Sequence, residues 1–238
     1  MKKVSLWITM CAALVAFVAG FSFANFLNRS GSSGMQAPSP TEPRPDQSAA
    51  QQESSTLSDA EITQKLNEAE RDPENFAFQK GLGIGLYRYG AVRQDKDIIE
   101  RAIPVLDRAA KLNPDDFEVL VSLGNAHFDV GYFGKDNSSF GRARSLYLKA
   151  LEKRPGDIEV RTDVGLTYFL MDPPDHTSAA AEFEKSLSID QKHEKSLGFL
   201  IRSLEALGRD ASKHRDTLRA INPRNPALSN SGTEGAVK

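Results

Sequence analysis

A spacing of 41 residues runs through the middle of this chain. Gly83, Gly124 and Gly165 stand 41 apart, and so do Pro73, Pro114 and Pro155. Between them Leu82 recurs as Leu123 and Val164, and Gly90 recurs as Gly131. Ala102, Leu106 and Ala109 recur as Ala143, Tyr147 and Ala150. A fixed period of this length marks stacked supersecondary units, each too small to bury its apolar face alone. A chain built this way folds into an array, and what an array offers first is a binding surface.

The units are helix pairs. Segments near 75–89, 116–130, 157–171 and 193–207 carry apolar residues at helical spacing, such as Leu120, Leu123 and Phe128, or Leu166, Phe169 and Leu170. Second helices are expected over about 96–112, 138–153, 177–189 and 210–220. Gly90, Gly131 and Gly208 suit the stop of a first helix. Asn113-Pro114, Arg154-Pro155 and Asn222-Pro223 suit the stop of a second. Pro104 falls inside an expected second helix and should kink it or delay its start. A leading helix over 59–71 opens with the capping box Ser58-Asp59-Ala60-Glu61. The β-branched residues are scattered among helix formers, so the expected class is all-α, an α-solenoid of antiparallel helix pairs.

Leu123-Gly124, His127-Phe128, Gly131, Ala143, Tyr147, Ala150 and Pro155 together resemble a tetratricopeptide repeat (TPR). Leu82-Gly83, Tyr87, Gly90, Ala102, Leu106, Ala109 and Pro114 repeat the pattern. Val164-Gly165, Tyr168-Phe169, Ala179 and Phe183 do so with Ser186 and Gln191 in place of the last alanine and the proline. A weaker fourth unit runs through Leu200-Ile201, Leu204, Gly208, Ala211, Leu218 and Pro223. The resemblance implies three to four units, with first helices lining a concave groove that takes a peptide or an amphipathic helix of another protein. The groove positions it implies are Lys80, Ile84, Tyr87 and Arg88 in unit one, then Val121, Asn125, Phe128 and Asp129 in unit two. Thr162, Leu166, Phe169 and Leu170 follow in unit three. The family's carboxylate clamp is not matched, because Lys80 and Asn125 fall in different units. The family period is about 34 residues, so each of the first two units carries about seven more. These form either a longer loop plus an extra turn, or a pair of loops at Ala91–Lys96 and Tyr132–Ser138 in which Tyr132 and Phe133 are exposed anchors.

Before the array come two segments of different character. Met1-Lys2-Lys3 precedes Val4–Leu27, which is apolar apart from Ser5, Thr9, Ser22 and Asn25. As a helix those residues would span roughly 36 Å, against a hydrocarbon core of about 30 Å. A secretory signal has an apolar region of about 7–15 residues, so residues 1–27 read as an uncleaved signal-anchor. Ser22-Phe23-Ala24 leaves open a cleaved, secreted or periplasmic form. Lys2 and Lys3 ahead of the run orient it with the remainder outside the cytoplasm, which in a bacterium is the inner membrane with a periplasmic domain. Residues 28–56, rich in Pro, Ser and Gln, read as a disordered linker with a coil reach of roughly 30 Å. The helical domain is expected over 57–223 and a disordered tail over 224–238.

Composition narrows the function. The net charge of −2 offers no global field for nucleic acid. Cys11, the only cysteine, rules out an internal disulfide. No two of His127, His176, His193 and His214 have metal-ligand spacing on a helix. Gly81-Leu82-Gly83-Ile84-Gly85 lacks the strand and the Lys-Ser/Thr of a phosphate loop. Asp172-Pro173-Pro174-Asp175-His176 reads as a turn, with a small metal-dependent hydrolase as the enzymatic alternative. The expectation is therefore a protein without catalytic, cofactor or metal site, a protein–protein scaffold or assembly factor. Cytochrome c biogenesis proteins with an anchored TPR domain are one such group, and homo-oligomerisation through terminal units is a structural alternative.

Overall fold

The computed structural model describes residues 57–229. The expected anchor 1–27 and linker 28–56 lie outside them, as do residues 230–238 of the tail. Nine helices follow one another, with no strand among the described residues. They are α1 (Asp59–Arg71), α2 (Phe76–Arg93), α3 (Lys96–Leu112), α4 (Phe117–Gly134), α5 (Asn137–Lys153), α6 (Ile158–Leu170), α7 (His176–Ile189), α8 (Glu194–Ala206) and α9 (Ser212–Ile221). A 3₁₀ turn, Pro226–Leu228, closes the array. The pairs α2/α3, α4/α5, α6/α7 and α8/α9 are hairpins, each packed on the next. The first helices also meet in order, α2 with α4, α4 with α6 and α6 with α8. This is a TPR-like, all-α array. No helix among the described residues is long and apolar enough to cross a membrane.

The 41-residue echo is the trace of one contact made three times. A Cβ on Gly83 would stand 2.8 Å from the Leu106 side chain. On Gly124 it would stand 2.6 Å from the Tyr147 ring, and on Gly165 2.5 Å from the Phe183 ring. Each glycine removes the methyl that would hold the second helix away, and the large residue opposite fills the space. Ala102, Ala109, Ala143, Ala150 and Ala179 are fully buried beside these contacts. In the fourth hairpin Ile201 replaces the glycine and is itself fully buried. There Ala227 of the 3₁₀ turn packs over Gly198 instead.

Helix starts are set by a second periodic series. Asn75, Asp116 and Asp157 cap α2, α4 and α6, each accepting from an amide in the first turn. Asp95, Asp136 and Asp175 do the same for α3, α5 and α7. An N-cap of this kind contributes about 0.5–2 kcal/mol.

Three expectations are corrected. Gly90 and Gly131 do not stop their helices, which run on to Arg93 and Gly134. They are points of close approach, with a Cβ on Gly90 only 2.9 Å from Ile99 and one on Gly131 3.1 Å from Phe140. The helices end instead in left-handed residues, Gln94 (φ 54°) and Lys135 (φ 53°). The Ala91–Lys96 and Tyr132–Ser138 loops are therefore not loops, since the enlargement is taken up by longer helices joined through Gln94-Asp95 and Lys135-Asp136. Pro104 does not break α3, which runs unbroken from Lys96 to Leu112. The proline faces solvent, where water can meet the carbonyl it leaves unbonded, while Ile99, Ala102, Val105 and Leu106 hold both sides of it in the core.

Gly124→Ala is expected to cost about 1–3 kcal/mol, as an overpacked core does. Gly81, also in a first helix but with nothing within 4 Å of its Cβ direction, should gain about 0.8–1 kcal/mol on changing to Ala. Urea unfolding of the two variants measures both, and equal effects would show that the glycine contact does not set the hairpin spacing.

Candidate functional site

Successive first helices are laced together by polar contacts at their exposed edges. Between α2 and α4, Lys80 Nζ lies 2.9 Å from Asp116 and 3.0 Å from Glu118. Burial weakens the Lys80 charge, but these hydrogen bonds outweigh it and raise its pKa. Arg88 reaches Glu118 at 3.5 Å. Between α6 and α8, Lys195 Nζ pairs with Asp163 at 2.8 Å and Glu159 at 3.7 Å, and His193 Nε2 lies 3.0 Å from Glu159.

The middle of this face is different. The Tyr147 hydroxyl, emerging from the core, donates to Asn125 Oδ1 at 2.8 Å. The Tyr87 hydroxyl donates to Asp129 at 3.2 Å. Asp129 is half-buried, and among the described residues no basic side chain pairs with it. Burial pushes its carboxyl above the usual range, the Tyr87 hydrogen bond pulls it back, and the charge of Asp163 pushes it up again. Burial raises Asp163 as well, opposed by Lys195. Tyr87 is raised by burial and by the Asp129 charge, so it stays a neutral donor.

The expected groove positions divide. Lys80, Tyr87, Arg88, Val121, Asn125, Phe128, Asp129, Phe169 and Leu170 all keep some exposure. Ile84, Thr162 and Leu166 do not, and are corrected to interior positions. Ile84 and Leu166 belong to the hydrophobic core. Thr162 is wholly buried in a hydroxyl network, bonding the Ile158 carbonyl at 2.7 Å and Ser196 at 2.8 Å. Phe128 packs edge-on against Phe140 at 5.5 Å, and Phe169 against Phe199 at 5.2 Å and His176 at 5.3 Å. Their rings are partly spent on the fold. Tyr132 (58% exposed) and Phe133 (41% exposed) sit in the last helical turn of α4, in edge contact at 5.7 Å.

Other chemistry does not assemble. Asp175 is occupied as a cap, accepting from the amide and hydroxyl of Ser178. Among the described residues no group of three His, Cys, Asp or Glu could hold a metal ion. His127 is buried on α4, and burial lowers its pKa. Lys80 is engaged by Asp116 and Glu118, so it does not extend a free cation toward a carboxylate. The pairings of Glu118, Glu159, Asp163 and Lys195 were not read from the sequence: Glu118 and Glu159 do stand 41 apart, but the cations they meet, Lys80 and Lys195, do not, so the repeat does not reveal the pairs. The cap series Asn75, Asp116, Asp157 did obey it and was available as a signal.

Comparison with known proteins agrees with this geometry. The family model for the plant specific mitochondrial import receptor subunit TOM20 matches residues 54–187, more than half of the chain. Among solved structures, a crystal structure of MamA is 21% identical, with a TM-score of 0.57 over 70% of this chain and 89% of that one. A second crystal structure of MamA is 19% identical, with a TM-score of 0.56 over 74% and 88%. At such identities these likenesses establish the fold alone. No curated protein matches the sequence.

A carboxyl whose pKa is raised in the folded state binds its proton more tightly there than in the unfolded chain. It therefore subtracts stability once pH rises through that range. Asp129→Asn removes that charge while keeping an acceptor for Tyr87. The variant is expected to have a higher urea midpoint than the parent at pH 7, with the difference closing by about pH 3, below the ordinary aspartate range. A gain independent of pH would show that the Asp129 charge is not strained.

Proposed function

Because the chain belongs to the plant specific mitochondrial import receptor subunit TOM20 family, matched over residues 54–187, we propose that it is a membrane-anchored, non-enzymatic protein that binds a segment of another protein on its first-helix face. A receptor subunit binds, and a TPR-like array supports that role. The observation that carries the reading is the composition of equivalent positions in consecutive units. Phe128 and Phe169 correspond, as do Asp129 and Leu170, and all four stay partly exposed beside Val121. A face of half-covered apolar groups with a few fixed polar ones suits a peptide strand or a short helix.

Anchoring rests on Val4–Leu27, and the lysines before it support a domain on the side of the membrane away from the cytoplasm. The array then works as a scaffold or assembly factor within reach of that bilayer.

A photo-crosslinking residue at Arg88 or Leu170 should capture a protein partner in cells. Val121→Glu with Leu170→Glu places charge on the apolar part of the face without touching the glycine contacts. It should lower the crosslinked yield at least tenfold at unchanged far-ultraviolet circular dichroism. Undiminished capture by this double variant would place the partner elsewhere on the molecule.

A further inference from the structure

The polar groups at the middle of the first-helix face form a relay that runs one way. The Tyr147 hydroxyl donates to Asn125 Oδ1 at 2.8 Å, Asn125 hydrogen-bonds the Tyr87 hydroxyl, and that hydroxyl donates to Asp129 Oδ2 at 3.2 Å. Each group passes its donor to the next, and the relay ends on a carboxylate. The other oxygen of Asp129, Oδ1, receives no hydrogen bond among the described residues. A half-buried carboxylate ordinarily has a cation or several donors to offset its lost hydration, and Asp129 has one neutral hydroxyl.

The charges around this point do not balance. Asp129 feels Tyr87 and the charge of Asp163, and no cation offsets it. Asp163 feels Lys195, Glu159 and Asp157. Glu159 shares Lys195 with it and also meets His193, while Asp157 is the cap of α6. On the α2 side, the exposed Arg88 reaches Glu118 at 3.5 Å, and Lys80 is held by Asp116 and Glu118. The α4–α6 seam therefore carries Asp129, Asp157, Glu159 and Asp163 against Lys195 and His193. Apolar groups border the same place. Val121 lies on the stripe of α4 that leads to Asp129, Phe128 keeps part of its ring exposed, and Leu170 stands in α6 at the position that Asp129 holds in α4.

We propose that the partner of this face is a protein segment with one lysine or arginine set among apolar residues, whose cation enters between Asp129 and Asp163 and donates to Asp129 Oδ1. The apolar neighbours of that residue then rest on Val121, Phe128 and Leu170. The place suits a single cation, because Arg88 on α2 and Lys195 on α8 flank it and repel a second. Complementary charge of this kind selects among partners as much as it tightens them. A carboxylate that weakens the free fold then strengthens the complex. The inference rests on the reading of the first-helix face as the binding face, and it adds the chemistry of the occupant.

The test selects ligands from a phage-displayed library of random peptides about 12 residues long, long enough to cross two helices of the face. The full chain in detergent micelles is the bait. Peptides enriched on it are expected to carry one Lys or Arg flanked by Leu, Ile, Val or Phe. The most enriched is then made as a free fluorescent peptide and measured by anisotropy. Changing its cation to norleucine should weaken binding to the parent chain about tenfold or more, and binding to Asp129→Asn less than about twofold, as coupled partners in a cycle do. Asp129→Asn should itself bind the cationic peptide about tenfold more weakly while being the more stable protein at pH 7, two effects that damage to the fold does not combine. Glu184→Gln, which removes an exposed carboxylate from α7, should bind as the parent does. Enriched peptides that are apolar with no preferred cation, and that Val121→Glu with Leu170→Glu releases, overturn the cation subsite and leave the binding face standing. Equal losses in Asp129→Asn and Glu184→Gln reduce the effect to general attraction between opposite charges and overturn the subsite. Binding that survives Val121→Glu with Leu170→Glu, or a library that yields no ligand, overturns the face and the subsite together.

Discussion

Everything in this array depends on how closely the two helices of a hairpin approach. Gly83, Gly124 and Gly165 set that distance by presenting no side chain, and Leu106, Tyr147 and Phe183 occupy the space. The second helix is then near enough for Ala102, Ala143 and Ala179 to be fully buried. The spacing within hairpins also fixes where the first helices meet each other, and so which of their residues remain visible. Ile84 and Leu166 disappear into the core at that crossing, while Phe128 and Phe169 end half in and half out.

Tyr147 shows how the core and the visible face are joined. Its ring is the filler against Gly124, and its hydroxyl reaches Asn125 on the binding face. A buried aromatic with a polar tip can position an amide at a surface without itself being exposed. Asp129 has no such compensation beyond the Tyr87 hydroxyl. It keeps its place because the helices around it are held by contacts elsewhere.

Much of the fold was legible because its signals repeat. The repeated glycine and the large residue facing it gave hairpins, their order and, for the second helices of units one to three, boundaries within a residue or so. Where a residue type has two uses, reading by type failed. Gly90 and Gly131 suit a helix stop and a close crossing equally, and only the packing of Ile99 and Phe140 distinguishes the two. Pro104 was expected to kink its helix or delay its start because a sequence does not show which side of a helix faces water, yet the helix starts at Lys96. The face was less legible. Repeat alignment placed Thr162 beside Lys80 and Val121, but a hydroxyl that can bond its own helix backbone is free to turn inward, and Thr162 did. Ion pairs were half legible: the acidic position Glu118/Glu159 follows the 41-residue offset, while the cations Lys80 and Lys195 that meet it do not.

The lacing of the first helices is uneven. Ion pairs join α2 to α4 through Lys80 and Arg88, and α6 to α8 through Lys195, while none among the described residues joins α4 to α6. At that middle seam the nearest charges, Asp129 and Asp163, repel. Packing crosses that seam instead, with the Arg144 guanidinium 3.9 Å over the Tyr168 ring and Asn137 bonded to the backbone of Asp172. A guest side chain entering between the first helices at that seam meets no ion pair to break, and a cationic one would relieve the repulsion between Asp129 and Asp163.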